Sequence, residues 1–191
     1  ILIKEAQFKA LENQMNPHFL YNTLESINWR AKILGAKDIS AMAEALGSLL
    51  RITLDHRSKQ VPLQKELELI QYYITIQKYR FEDRLNFQTD IPQNLLSCYV
   101  LKLTLQPLVE NAIFHGLEPK GGHGSVLLDI STDPENGDVL LRITDDGVGM
   151  PPELVAHLLD EPTEEAEKTE KFRHVGLWNV NRRIRYSFGE G

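Results

Sequence analysis

Leu105-Gln106-Pro107-Leu108-Val109-Glu110-Asn111-Ala112-Ile113-Phe114-His115-Gly116 falls within a predicted helix over 101–116. Read as a helix, it sets Asn111 and His115 four residues apart on one face and the Glu110 carboxylate beside the Asn111 amide. An amide oxygen is a hard donor suited to Mg²⁺, and a partly buried carboxylate can accept a proton. A helix whose polar residues merely reach water would read the same way, so the segments around it have to be read with it. Asp145-Asp146-Gly147-Val148-Gly149-Met150 follows a predicted strand. Its alternate glycines admit a close backbone approach, and the carboxylate beside them can accept a hydrogen bond from an exocyclic amine such as that of adenine. A plain strand-ending turn is the competing reading. His174-Val175-Gly176-Leu177-Trp178-Asn179-Val180 opens a helix with a glycine after a polar, mostly acidic run over 160–173. Backbone donors at a helix start suit anionic phosphates, and the acidic run reads as a lid or as a solvated loop.

Working outward, the chain has 191 residues, which fits one large domain or two small ones. Charged residues make up 25% and the hydrophobic set 42%, so a packed core is expected rather than disorder. The formal charge of −6 and a pI near 5.5 argue against a protein that chiefly grips nucleic acid phosphates. Cys98 is the single cysteine, which excludes an intrachain disulfide and a cysteine-rich zinc site. No run approaches the roughly 18 apolar residues of a membrane span, and Lys4 and Glu5 interrupt the apolar start. Direct membrane insertion is therefore not expected. The first residue, Ile1, points to a processed chain or an excised fragment.

Residues 1–34 contain no glycine and one proline, and predict a long helix. Phe8, Leu11 and Met15 share one face, whereas Leu20, Leu24, Ile27, Ala31 and Leu34 follow the i, i+4, i+7 rule on the other. The switch falls at Asn16-Pro17, where proline predicts a kink. Gly35 fits a C-cap, and Asp38 or Ser40 fits the N-cap of a second helix with Met42, Leu46, Leu49, Leu50 and Leu54 as its seam. Two helices cannot enclose a core alone, so this antiparallel hairpin should pair with its copy as a four-helix bundle, which makes the protein a homodimer. Pro62 and the polar residues before it mark the domain boundary. Beyond it the pattern predicts a helix over 63–81, burying Leu67, Ile70, Ile74 and Tyr79 or Ile76, and a strand over 84–91. A helix over 101–116 follows, then strands over 125–131 and 138–144 about an Asn136-Gly137 turn, whose two residues tolerate positive φ. A short helix to about Leu159 and a last one over 176–188 complete the reading.

In this order the three segments resemble the N box and the two glycine boxes of the GHKL ATP-binding fold. Gln14-Met15-Asn16-Pro17-His18-Phe19-Leu20-Tyr21-Asn22-Thr23-Leu24 resembles the phosphoacceptor signature of LytS/YesM-type sensor histidine kinases. The likeness covers nearly the whole chain, including Tyr79-Arg80-Phe81 and Asn179-Val180-Asn181-Arg182-Arg183-Ile184. It implies an α+β architecture, with a dimeric phosphotransfer hairpin over 1–58 and an α/β sandwich ATP-binding domain over 59–191. His18 lies roughly 160–200° around the helix from the apolar stripe, so its ring should face outward, with Asn22 one turn later on the same face. A neutral imidazole lone pair can attack phosphorus with little activation.

The resemblance implies transfer of the ATP γ-phosphoryl to His18 and then to an aspartate of a response regulator. It makes Asn111 the Mg²⁺ ligand, Asp145 the adenine partner and Glu110 the proton acceptor. His115, Gly147, Gly149, Gly176, Leu177 and Asn179 complete the nucleotide site, and Asn22 would orient water for dephosphorylation. It also implies the cytoplasmic portion of a membrane sensor. The sequence departs from the pattern in three ways. Phe114 stands where many relatives hold a lysine, leaving Lys120 or Arg173 to supply a phosphate contact. His174 replaces the first glycine of the second glycine box. The sequence ends at Gly191, before the closing strands, so the sheet reads as C-terminally incomplete. These departures motivate an alternative, a non-catalytic dimeric scaffold with a degenerate nucleotide site. An ATPase that spends its nucleotide on conformational change is a third reading, and it leaves the Asn-Pro-His segment unexplained.

Overall fold

A computed structural model describes residues 17–55, 58–161 and 175–189. The first half of the long amino-terminal helix with Asn16 of the expected kink, the acidic run beyond Glu161 with Arg173, and His174 lie outside the described residues. The chain divides into two compact units, Ile1–His56 and Arg57–Gly191.

The first unit is a hairpin of α1 (Pro17–Ile33) and α2 (Lys37–Thr53). Its helices run antiparallel: Ser40 donates to Asn28 Oδ1 at 2.6 Å, and the Arg51 guanidinium lies over the Tyr21 ring farther from the turn. Gly35 caps α1 as expected. At φ +68° it lets its own N–H reach Lys32 O and the Ala36 N–H reach Ala31 O, the paired bonds of a Schellman turn. That turn delivers the chain straight into α2, whose preceding residue is Ala36 with no side-chain cap. Neither Asp38 nor Ser40 is therefore the N-cap; both lie inside the first turns, and the Ser40 hydroxyl bridges the helices instead. Small side chains make the closest contact, with Ala31, Ser40, Ala43 and Ala45 buried. The larger seam residues are hidden less than the pattern predicts, because two helices cover only the stripe they share. Ile27, Met42 and Leu46 are each about 40% exposed and Leu34 is 68% exposed.

The second unit begins with β1 (Gln60–Pro62) and α3 (Leu63–Phe81). The strands β2 (Leu85–Asp90), β3 (Tyr99–Leu101), β4 (Gly124–Thr132) and β5 (Val139–Asp145) form two sheets. β1 pairs antiparallel with β3, and the larger sheet has the order β2-β4-β5, parallel then antiparallel. Between β3 and β4 runs α4 (Leu105–Asn111), continued by a π turn over Ala112–Leu117. A five-residue helix α5 (Pro152–Ala156) and α6 (Val175–Phe188) follow. The core is periodic. Leu105, Val109, Ile113 and Leu117 repeat every four residues along α4, and Val126, Leu128 and Ile130 alternate along β4; all are buried. On α3 the buried stripe is Leu63, Leu69, Ile70, Tyr73, Ile74 and Phe81, so Ile70 and Ile74 behave as predicted. Leu67 and Ile76 are half-buried and Tyr79 is 39% exposed, since the face toward α4 is the one covered. At the β4–β5 turn only Gly137 has positive φ; Asn136 contributes through its side chain, accepting the Asp138 N–H.

The helix predicted from 101 starts at Leu105, and a buried carboxylate explains why. Glu66, 1% exposed on α3, accepts the backbone N–H groups of Leu103, Thr104 and Leu105 at 2.7–3.0 Å. These are donors that the first turn of a helix leaves unpaired, and a negative charge there also suits the helix dipole. The carbonyls of Lys102 and Leu103 accept from Arg183 of α6. Because each buried donor left unpaired costs roughly 1–3 kcal/mol, Glu66→Ala should destabilise the second unit by at least about 3 kcal/mol. Glu66→Gln, which keeps one acceptor oxygen, should lose less. Urea unfolding checks this: the midpoint should fall at an unchanged slope, and a loss in Glu66→Ala below ~1 kcal/mol would refute the role.

Candidate functional site

The polar patch of α4 opens onto a cavity of about 390 Å³ lined by Tyr73, Gln77, Pro107, Glu110, Asn111, Phe114, His115 and Gly176. Of the residues singled out from the sequence, Glu110, Asn111, His115 and Gly176 therefore meet around one space. α4 sets the register: with Leu105, Val109 and Ile113 buried, Glu110 and Asn111 fall half-buried at the edge of the core. The Glu110 carboxylate accepts from Gln106 Nε2 at 2.8 Å through one of its oxygens. The π turn starts directly after Asn111, a distortion common at functional sites. His115 is half-buried, with its ring edge-on to Phe114 at 6.0 Å between centroids.

Asp145 and Gly147 reach the end of the same helical segment, at Gly116. The Asp145 carboxylate accepts the Gly147 N–H at 2.9 Å, and the Val148 N–H donates to Gly116 O at 3.0 Å. Gly116 and Gly147 are in backbone contact. A Cβ on Gly147 would lie 2.4 Å from the Gly116 Cα, and one on Gly116 would lie 2.6 Å from the Asp145 carboxylate oxygen. The room vacated at Gly147 is thus taken up by Gly116. Gly149 follows at φ +70°, and Asp145 itself stays exposed. Of the α6 residues, Gly176 touches the cavity, Leu177 is half-buried and Asn179 is exposed; the last two are not among its lining. His18 and Asn22 belong to the hairpin unit. Both are exposed, and Asn22 Nδ2 lies 3.3 Å from His18 Nδ1 and 3.4 Å from Nε2.

Lys120 is not among the residues that line the cavity. Its ammonium donates to the Asp146 carbonyl at 2.6 Å and lies 3.6 Å from the Asp146 carboxylate. Asp146 also accepts the Ser125 N–H, and this bond, with Lys120 beside it, holds its carboxyl below the ordinary range. The sequence reading missed Tyr73 and Gln77. Their signal is polarity at i, i+4 on the otherwise buried side of α3, continued at i+7 by Arg80. Burial, reinforced by Glu110, pushes the Tyr73 phenol well above its usual range. Among the described residues no cluster of three or more His, Cys, Asp or Glu could hold a metal ion by itself. Asn111 fits Mg²⁺ in the other usual way, as one oxygen ligand beside those a bound phosphate brings. Among the described residues no helix is long and apolar enough to cross a membrane.

Two family models match the chain. The one described as histidine kinase covers residues 6–85, and the one described as histidine kinase-, DNA gyrase B-, and HSP90-like ATPase covers residues 100–191. Sensor histidine kinase YesM of Bacillus subtilis is 42% identical over 190 residues, spanning 100% of this chain and 30% of that protein. Sensor protein LytS of Oceanobacillus iheyensis is 34% identical, spanning 99% of this chain and 32% of the relative. Sensor histidine kinase YpdA of Escherichia coli is 33% identical, spanning 100% and 32%. The chain therefore spans about a third of the length of these relatives.

The contact between Gly116 and Gly147 yields a structural prediction. In Gly147→Ala the Cβ meets backbone rather than a flexible side chain, so the loop after β5 must lift from α4. The expected loss is about 1–3 kcal/mol, with faster hydrogen exchange at the Val148 amide. Exchange at that amide unchanged from the parent would refute the contact.

Proposed function

The chain belongs to the histidine kinase family, and from that premise we propose that it moves the γ-phosphoryl group of ATP to His18 and from there to an aspartate of a response regulator. The observation that supports this most directly is the convergence of Glu110, Asn111, His115 and Gly176 on one cavity, with the Asp145 loop packed on the same helix through Gly116. The triphosphate occupies the cavity beside Asn111 and the start of α6, and adenine lies toward Asp145. Phosphoryl transfer is mostly positioning and charge neutralisation, which a half-buried amide and helix-terminal N–H groups supply. Mg²⁺, when bound, neutralises phosphate charge and is held on the protein side by the Asn111 amide oxygen.

In the transfer, a ring nitrogen of His18 attacks the γ-phosphorus with its lone pair. The bond from phosphorus to the bridging oxygen breaks, and ADP leaves with that electron pair. Glu110 accepts the proton released from the ring. Asn22, whose amide already sits against the His18 ring, orients the water that later hydrolyses the regulator's phosphoaspartate. In Asn22→Ala, phosphatase activity toward the regulator should fall; full activity would remove the role.

A homodimer through the hairpin is part of the same proposal. Ile27, Trp29, Ile33, Leu34 and Ile39 are all more than 40% exposed in the single chain, a load that a second copy would cover in a four-helix bundle. Light scattering should return twice the 21.9 kDa chain mass; the single mass would refute the bundle. The chain would form the cytoplasmic part of a membrane-anchored sensor.

Labelled ATP tests the transfer. The parent chain should take up acid-labile, alkali-stable label, and His18→Gln should take up none. Glu110→Gln should slow labelling by about 10²–10⁴-fold with nucleotide affinity little changed. Label that persists in His18→Gln would overturn the assignment. One observation favours a second reading: Phe114, 51% exposed at the cavity, carries no charge toward a phosphate. Nucleotide binding without any label would identify a non-catalytic dimeric scaffold.

A further inference from the structure

A cavity for a polyanion needs a cation, and none of its described lining residues is lysine or arginine. Lys120 is held by the Asp146 carbonyl and carboxylate. The stripe along α3 supplies another candidate. Tyr73 and Gln77 line the cavity, and Arg80 is the next residue of that stripe, at i+7 from Tyr73. Its guanidinium carbon stands 5.6 Å from the centre of the Phe114 ring, a lining residue, and 4.9 Å from that of Phe81. Its Nη2 donates to Glu118 Oε1.

Resting on the nucleotide reading above, we infer that Arg80 is the cation that meets the nucleotide's phosphate groups, and that Glu118 is its place-holder until they arrive. The contacts of Glu118 fit a partner built to be exchanged. Its Oε1 holds Arg80, while its Oε2 is buried with no hydrogen-bond partner, so the carboxylate is only half satisfied. The Arg80 side chain is 48% exposed, and an ion pair that open to water contributes little, so giving it up costs little. A phosphate group offers the same fork-shaped guanidinium a more highly charged acceptor.

Phe114 completes the device. A lysine at 114 would repel the guanidinium from the place it now occupies, whereas a phenyl face attracts it and lets it slide toward the cavity. Gln77 Oε1, on a lining residue, and Gln106 Oε1, whose amide is bonded to the lining Glu110, are further buried oxygens without partners, acceptors that a guanidinium moving inward could satisfy. Phe114 and Arg80 thus act as a matched pair, with the charge delivered from α3 rather than from α4.

The test is binding of adenosine, ADP and ATP, the last two with Mg²⁺, to the whole chain and to Arg80→Gln, Arg80→Lys and Glu118→Gln. Arg80→Gln should weaken ATP and ADP about tenfold or more and leave adenosine unchanged, and Arg80→Lys should recover part of the loss. Glu118→Gln should tighten ATP severalfold without affecting adenosine, which keeps the test open should Arg80→Gln fold poorly. Adding Phe114→Lys to Arg80→Gln should restore phosphate-dependent affinity. ATP affinity unchanged in both Arg80→Gln and Glu118→Gln would overturn the inference, as would equal losses of adenosine and ATP in Arg80→Gln, the mark of a purely structural role. A parent chain that binds neither adenosine nor ATP would instead remove the nucleotide reading, and this inference with it.

Discussion

The carboxylate of Glu66 is the constraint from which the second unit is built. It is buried in the core, where an unpaired charge would be prohibitive, and it is stable there because three backbone amides at the start of α4, those of Leu103, Thr104 and Leu105, point at it. The turn needs that grip. Leu103 sits at φ +59°, a conformation that costs a residue with a side chain about 1–3 kcal/mol unless its surroundings enforce it. Glu66 takes the amides, and Arg183 takes the carbonyls of Lys102 and Leu103, so α3, α4 and α6 are tied at one point. Once the start of α4 is fixed, the four-residue repeat of its buried face leaves Glu110, Asn111 and His115 only one direction to point. The other end of α3 then brings Tyr73 and Gln77 to the same cavity.

Close backbone approach is the second constraint. Gly116 ends the helical face and Gly147 opens the loop after β5, and neither position has space for a side chain. The glycine pattern of that loop was legible in the sequence as a sign that something approaches closely. Which group approaches was not, because a glycine reports vacated volume and not its occupant. At Gly147 the occupant is Gly116 of the neighbouring helix, and the loop is thereby keyed to the end of the segment that carries Asn111.

What could be read from the sequence follows from how local each determinant is. The hairpin cap at Gly35, the strand alternation of β4 and the helical repeat of α4 depend on residues a few positions apart, and each emerged where the pattern put it. The beginning of α4 did not, since Glu66 acts on it from a distance of 37 residues and more along the chain. Ser40 was misread for the same reason. A hydroxyl near a helix start is a capping candidate by local chemistry, yet its partner is Asn28 on the preceding helix. The cavity was half legible. Glu110, Asn111 and His115 stood out as polar residues on an apolar helix, whereas Tyr73 and Gln77 were hidden in a helix whose polarity looked like ordinary exposure.

The two units divide their labour according to how much each can bury. In the second, a sheet and its helices enclose large aliphatic side chains, enough to hold a carboxylate in the core and a cavity at its edge. In the hairpin, two helices meet through Ala31, Ser40, Ala43 and Ala45, and burying so little apolar area stabilises weakly. The same shortage has a functional side. A helix packed on one narrow stripe keeps the rest of its circumference outward, and His18 with Asn22 falls there. Under the proposed transfer, a histidine drawn into a larger core would lose that exposure and lie beyond the reach of the phosphoryl donor. The sparse packing of the hairpin and the accessibility of its histidine are therefore one property, and any change that buried more of α1 within its own chain would gain stability at the expense of the exposed ring.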